Sequence, residues 1–139
     1  MATRGRNRRL GSVLIVEDNA LLALALEDML RGAGARKVVI ASTTEGALHA
    51  LEQFRPAILV LDVHLADRDD GWAVAELVTQ LSPRPPLIVF STATPSDIPA
   101  RVAEMGVVLA KPYAEEDLLA ALDRGHSNGL FARLRHTGL

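Results

Sequence analysis

Six polar or charged side chains of this chain directly follow apolar runs, where a hydrophobic core has no use for them. Asp62 follows the run at 58–61, and the other five follow three further runs: Glu17, Asp18, Ser91, Thr92 and Lys111. Crowded carboxylates repel one another unless a cation lies among them, and oxygen ligands without thiolate or imidazole favour Mg²⁺. A divalent ion beside a carboxylate, opposed by an amine and a hydroxyl, is typical of phosphoryl transfer. The carboxylate can itself be the nucleophile.

The apolar runs have the length of strands, and helical segments separate them. Unbroken apolar runs are typical of parallel strands that are buried on both faces. The strands are predicted at residues 12–16, 38–41, 57–61, 87–90 and 107–110. Apolar residues at helical spacing predict helices at about residues 21–30, 44–54, 72–81, 95–105 and 114–122.

Five repeats of strand and helix predict an α/β fold with a doubly wound, five-stranded parallel sheet. Strands joined by helical crossovers must be parallel, and helices then cover both faces of the sheet. Ligands of such sheets bind outside the carboxyl ends of the strands. We therefore expect the six polar side chains to meet at this edge.

Composition restricts the class of protein further. A chain of 139 residues with 49% apolar residues suits one domain with a single core. The chain has no cysteine, which excludes disulfides, thiolate metal sites and a cysteine nucleophile. No apolar run approaches the ~18–20 residues of a membrane span. No signal peptide is recognisable, so a cytoplasmic protein is expected.

Basic residues are concentrated at the two ends of the chain. Residues 1–10 form a predicted basic, flexible arm with four arginines, and residues 125–139 a predicted tail with weak helical character. The body between them is acidic, which disfavours nucleic acid as its partner. The arm is interpreted as a solvated tail, with contact to nucleic acid or an anionic surface as the alternative.

Four short motifs resemble the signature set of response-regulator receiver domains of two-component signalling. The motifs are Val16-Glu17-Asp18, Leu61-Asp62, Thr92-Ala93 and Lys111-Pro112. Each ends the expected strand in the expected order, and the resemblance covers about residues 11–124. The chain looks closer to stand-alone, single-domain receivers with a Phe-Ala-Thr-Gly run. The resemblance implies a (βα)₅ flavodoxin-like fold with strand order 2-1-3-4-5.

The resemblance also implies roles for individual residues. Asp62 would be the phosphoacceptor, and Mg²⁺ would be held by Asp62, by Asp18 and by the backbone carbonyl of His64. Glu17 would bind the ion through water or position it.

On the opposite side of the predicted site, Lys111 would pair with the phosphoryl group, and a cis peptide is expected before Pro112. Thr92 would supply the switch hydroxyl, with Ser91 as the alternative.

Partners follow from the same resemblance. A histidine kinase or a histidine phosphotransfer protein would donate the phosphoryl group. The chain would catalyse only its own phosphorylation and dephosphorylation. Output would pass through the surface of helix 4, strand 5 and helix 5 to a protein partner, by homodimerisation, or by drainage of phosphate. Val108 stands where the family often has an aromatic switch residue, which departs from the pattern.

Other features of the sequence point to different functions. Val108 favours a receiver-like interaction module that works without phosphorylation. A Mg²⁺ phosphohydrolase usually has a second Asp where this chain has His64. Nucleic-acid binding would require the arginine-rich ends. The acidic loop at 67–70 suggests a Ca²⁺ site only weakly, and we interpret it as a solvated loop that caps the third helix.

Overall fold

All five strands form one parallel sheet in the order β2-β1-β3-β4-β5, which confirms the predicted fold class and topology. The computed structural model describes residues 10–65 and 71–136, with side chains as far as residue 127. The strands are β1 (Gly11–Val16), β2 (Ala35–Ala41), β3 (Ile58–Asp62), β4 (Leu87–Thr92) and β5 (Val107–Ala110). The helices are α1 (Ala20–Gly32), α2 (Thr44–Gln53), α3 (Ala73–Leu81), α4 (Ala100–Ala103) and α5 (Glu115–His136).

The core consists of two aliphatic layers, one on each face of the sheet. Strand residues of alternating direction pack against α1 and α5 on one face and against α2, α3 and α4 on the other. Every residue of β3 is buried, because the strand lies in the middle of the sheet. This burial explains its unbroken apolar run. None of the described helices is long and apolar enough to cross a membrane.

Local sequence signals set the ends of the first two helices. The Asn19 side chain accepts a hydrogen bond from the Leu22 backbone N–H at 3.1 Å, so Asn19 is the N-cap of α1. Gly34 follows the end of α1 with φ of 111°, a left-handed conformation that glycine adopts without strain. Thr43 caps α2 through the backbone N–H of Gly46.

The last two helices differ from their predicted lengths. The predicted helix at 95–105 is divided into a 3₁₀ turn (Pro95–Asp97) and α4, with Pro99 as the N-cap of α4. The predicted end of the last helix near 122 was wrong, because α5 continues to His136. A Cβ on Gly125 would overlap the Leu87 side chain. This glycine therefore permits close helix–sheet packing and does not end the helix.

The third helix begins without a side-chain cap in the described part of the chain. Trp72 is its N-cap residue and makes no capping hydrogen bond. The acidic residues at 67–70 that were predicted to cap this helix lie outside the described residues.

Candidate functional site

Three carboxylates meet at the carboxyl edge of the sheet. Glu17, Asp18 and Asp62 each offer an oxygen atom within 4.8 Å of the others. The convergence follows from the sheet register, because Val16 of β1 pairs with Leu61 of β3. Glu17 and Asp18 come directly after Val16, and Asp62 comes directly after Leu61. Asp62 and Glu17 are buried, whereas Asp18 is exposed.

The Lys111 amine reaches into the same cluster from β5. Its Nζ donates a hydrogen bond to Glu17 Oε1 at 3.0 Å and lies 3.6 Å from Asp62 Oδ2. The Lys111–Pro112 peptide bond is cis, as the resemblance implied. Burial acts to lower the pKa of Lys111, but the bond to Glu17 and the charge of Asp62 outweigh it, so the pKa is raised. Lys111 is therefore a fixed positive charge at neutral pH.

The ionised form of Glu17 is destabilised in this arrangement. Burial raises the pKa of Glu17, and the neighbouring charge of Asp62 raises it further. Hydrogen bonds from the Asn19 backbone N–H, at 3.1 Å from Oε2, and from Lys111 act in the opposite direction. The acidic pocket is thus strained electrostatically, and a cation placed there would relieve the repulsion.

The two candidate switch hydroxyls have different partners. Thr92 Oγ1 accepts a hydrogen bond from the Thr94 backbone N–H at 3.0 Å and therefore faces the loop after β4. The Ser91 hydroxyl lies 2.9 Å from the Tyr113 hydroxyl, on the side of the loop after β5. Both side chains are buried at the end of β4.

His64 connects the loop after β3 to the loop after β4. Its backbone N–H donates to Asp62 Oδ1 at 3.1 Å. Its imidazole Nε2 lies 2.9 Å from the Thr94 hydroxyl and 3.6 Å from an Asp97 oxygen. The imidazole is turned toward these side chains.

Two features of the site escaped the sequence analysis. Tyr113 bonds to Ser91 across 22 positions of sequence. Gly71 packs against the loop after the phosphoacceptor candidate, where its N–H donates to the Val63 carbonyl at 2.9 Å. A Cβ there would lie 2.7 Å from the Asp62 carbonyl oxygen, so any larger residue must move this loop. The only indication of this contact in the sequence is the glycine that follows the acidic loop at 67–70.

The tyrosine gives a direct test of this part of the site. Burial raises the pKa of Tyr113 above its ordinary value, although the Ser91 hydrogen bond and the Lys111 charge act in the opposite direction. Tyr113 is the only tyrosine, so phenolate absorbance reports on it alone. We expect its midpoint to lie above that of the denatured protein and to rise further in Ser91→Ala. Because the folded-state pKa is the higher one, stability should fall as the pH rises through it.

A tyrosine midpoint at or below the denatured value would contradict the described burial. An unchanged midpoint in Ser91→Ala would contradict the hydrogen bond.

The carboxylate cluster fits a magnesium ion. Its donors are oxygen atoms only, and the nearby imidazole of His64 is engaged elsewhere. Mg²⁺ is usually held by one or two carboxylates and keeps several waters, which the exposed Asp18 side of the cluster permits.

A five-stranded parallel sheet with an acidic pocket at its carboxyl edge defines the CheY-like class of flavodoxin-like α/β proteins. Within this class, the pattern of the response regulator receiver domain family matches residues 13–123. The chain belongs to the response regulator receiver domain family.

Two curated relatives of the chain are named as regulators. The chain is 30% identical to the transcriptional regulatory protein PdtaR of Mycobacterium tuberculosis, over 80% of this chain and 54% of that protein. It is 29% identical to the phyllosphere-induced regulator PhyR of Methylorubrum extorquens, over 81% of this chain and 42% of that protein. The chain spans about half the length of these relatives.

Solved structures agree with the fold. A CheY-like receiver domain from Methylobacillus flagellatus has a TM-score of 0.74 at 23% identity, covering 84% of this chain and 98% of that one. The receiver domain of the sensor histidine kinase PA1611 from Pseudomonas aeruginosa has a TM-score of 0.67 at 28% identity, covering 81% and 94%. That structure holds a magnesium ion in its active-site cleft.

Proposed function

We propose that this receiver domain accepts a phosphoryl group on Asp62 from a phosphohistidine. The donor is a histidine kinase or a histidine phosphotransfer protein. The observation that carries the proposal is the buried Asp62 carboxylate, which shares one pocket with Glu17, Asp18 and the Lys111 amine. Acids from two strands and a lysine from a third have no role in an aliphatic core, whereas together they suit phosphoryl transfer.

We assign the magnesium ion to Asp18 and Asp62, with the His64 backbone carbonyl as a third protein ligand. Glu17 positions the ion or binds it through water. When bound, the ion neutralises the negative charge that develops on the oxygens of the transferred group. The magnesium ion in the related PA1611 receiver supports this assignment.

The transfer forms one bond and breaks another. A carboxylate oxygen of Asp62 attacks the phosphorus, and the P–N bond of the phosphohistidine breaks. The donor imidazole leaves with the bonding electron pair and takes up a proton, while Asp62 becomes an acyl phosphate. Lys111 stabilises the negative oxygens of the transferred group with its fixed charge, already 3.6 Å from Asp62.

The switch hydroxyl is assigned to Thr92. Among the described residues, its hydroxyl bonds to Thr94 in the loop after β4, which it can pull toward the phosphoryl group. Ser91 is the alternative, but its hydroxyl is paired with Tyr113. The phosphoryl group adds about −1.5 to −2 charges. This charge would move the loop and alter the surface of α4, β5 and α5, where a protein partner or a second copy would bind.

A second candidate function is an interaction module that works without phosphorylation. Val108, which packs against the core layer beside α2–α4, favours it because valine at this position has no aromatic ring to couple with Thr92. This alternative predicts that partner affinity stays the same when beryllofluoride occupies the site.

The full chain should be incubated with acetyl phosphate and Mg²⁺. We expect one phosphoryl group per chain, dependent on Mg²⁺ and released by hydroxylamine, which cleaves acyl phosphates. The intact mass of the protein measures the incorporation. Absence of labelling with both acetyl phosphate and a phosphorylated histidine kinase domain would contradict the proposal, and hydroxylamine-resistant labelling would contradict its acyl phosphate chemistry.

A further inference from the structure

A groove lies between α2 and α3 at the opposite edge of the sheet from Asp62. It encloses about 330 Å³, and its apolar wall is formed by Leu48, Leu51, Phe54, Leu77, Val78 and Leu81. We call it the α2–α3 groove. Pro56 and Pro86 form part of its rim and restrict the backbone there. The groove is therefore a preformed apolar surface.

Two leucines of α3 extend this apolar surface into solvent. Leu81 is 74% exposed and Leu77 is 38% exposed. Both line the groove, so the exposed surface is continuous with the cavity. An apolar cavity that is continuous with exposed leucines indicates an interaction site.

Positive charge surrounds the groove, although the body of the protein is acidic. Arg55 and Arg84 line it and are exposed. The Lys37 amine lies 4.7 Å from the centre of the Phe54 ring at the same end. Glu52 is the only acidic residue among the lining residues of the described chain. The electrostatics therefore favour an anionic occupant.

We propose that the α2–α3 groove docks an acidic amphipathic helix of a partner protein. The apolar face of such a helix would fill the cavity and cover Leu81, and its acidic residues would pair with Arg55 and Arg84. A small aliphatic anion would fill the cavity but leave Leu81 exposed. A second copy that packed groove to groove would bring the arginines of both copies together, and repulsion between these like charges disfavours that occupant.

The groove can be occupied in both phosphorylation states. Pro56 precedes β3 and Asp62 ends it, so about 20 Å of strand separates the two ends at ~3.3 Å per residue. The partner would thus be held at a surface separate from that of α4, β5 and α5. The proposal does not depend on phosphorylation of Asp62.

The probe is a synthetic peptide with leucines at positions i, i+3, i+4 and i+7 of a helix and glutamates elsewhere. Fluorescence anisotropy with the full chain measures its dissociation constant. We expect Leu81→Glu and Arg84→Glu each to weaken binding about tenfold or more. Leu24→Glu is the matched control, because Leu24 is an exposed leucine of α1 and should not affect binding. A lysine version of the peptide should bind more weakly.

Several results would overturn the proposal. Absence of peptide binding, or equal binding by all variants, excludes this site. If octanoate binds more tightly than the peptide, the occupant of the groove is a small aliphatic anion. If the free chain self-associates in sedimentation and Leu81→Glu does not, the occupant is a second copy. Circular dichroism checks folding, and Arg84→Glu keeps the test valid if Leu81→Glu is unfolded.

Discussion

Asp62→Asn should reduce phosphoryl incorporation to background. The amide keeps the size of the side chain and an oxygen that can accept the His64 N–H, but it has no anionic nucleophile. The variant should stay folded, because the charge of Asp62 raises the pKa of Glu17 and its removal relieves repulsion within the pocket. Thermal stabilisation by Mg²⁺ should also weaken, because the cluster loses one of its three carboxylates.

Asp28→Asn is the matched control for this experiment. Asp28 is exposed on α1, outside the carboxylate cluster, and its substitution makes the same change in charge. It should be labelled at the wild-type rate. Labelling that persists in Asp62→Asn, or that disappears equally in Asp28→Asn, would contradict the assignment of Asp62 as the phosphoacceptor.

Gly106→Ala should be among the most destabilising single-methyl changes in this protein. Gly106 lies between α4 and β5, and a Cβ there would overlap the Ile88 carbonyl oxygen and lie 2.9 Å from the Ile88 Cβ. The obstacle is the backbone of a central strand, which cannot rotate away as a side chain can. Overpacking of this kind costs about 1–3 kcal/mol, and we expect the upper end of that range. Urea unfolding measures the free energy.

Gly32→Ala is the matched control for the overlap. No atom lies within 4 Å of the position that a Cβ on Gly32 would take, and the residue ends α1. Alanine there should leave stability unchanged or raise it by up to about 1 kcal/mol, because alanine loses less backbone entropy in a helix. Equal effects at Gly32 and Gly106 would contradict the prediction, because they would show that the overlap with Ile88 does not destabilise Gly106→Ala.

The short-range pattern was enough to predict the sheet and the gathering of the acids. The interior strands β1, β3 and β4 are recognisable from their unbroken apolar runs, because a strand buried on both faces cannot alternate. Helical crossovers make the strands parallel, and parallel strands place their carboxyl ends at one edge. Asp62 and Asp18 could therefore be placed together although 44 positions separate them in the sequence.

Helix ends were predictable only where the signal is local. Asn19 caps α1 with a bond to a residue three positions away, so the sequence pattern contains both partners. Gly125 instead permits contact with Leu87, and nothing near it in the chain reveals that contact. The sequence pattern therefore predicted a tail from residue 125, where the helix in fact continues.

The sequence by itself determined which polar side chains lie at the carboxyl edge of the sheet, because burial periodicity and strand direction are properties of neighbouring residues. Only the tertiary structure decided what those side chains touch. In the folded protein, Ser91 contacts Tyr113, His64 contacts Thr94, and a groove lies between α2 and α3. These contacts join residues that are far apart in the chain, and their distances depend on how whole helices pack against the sheet.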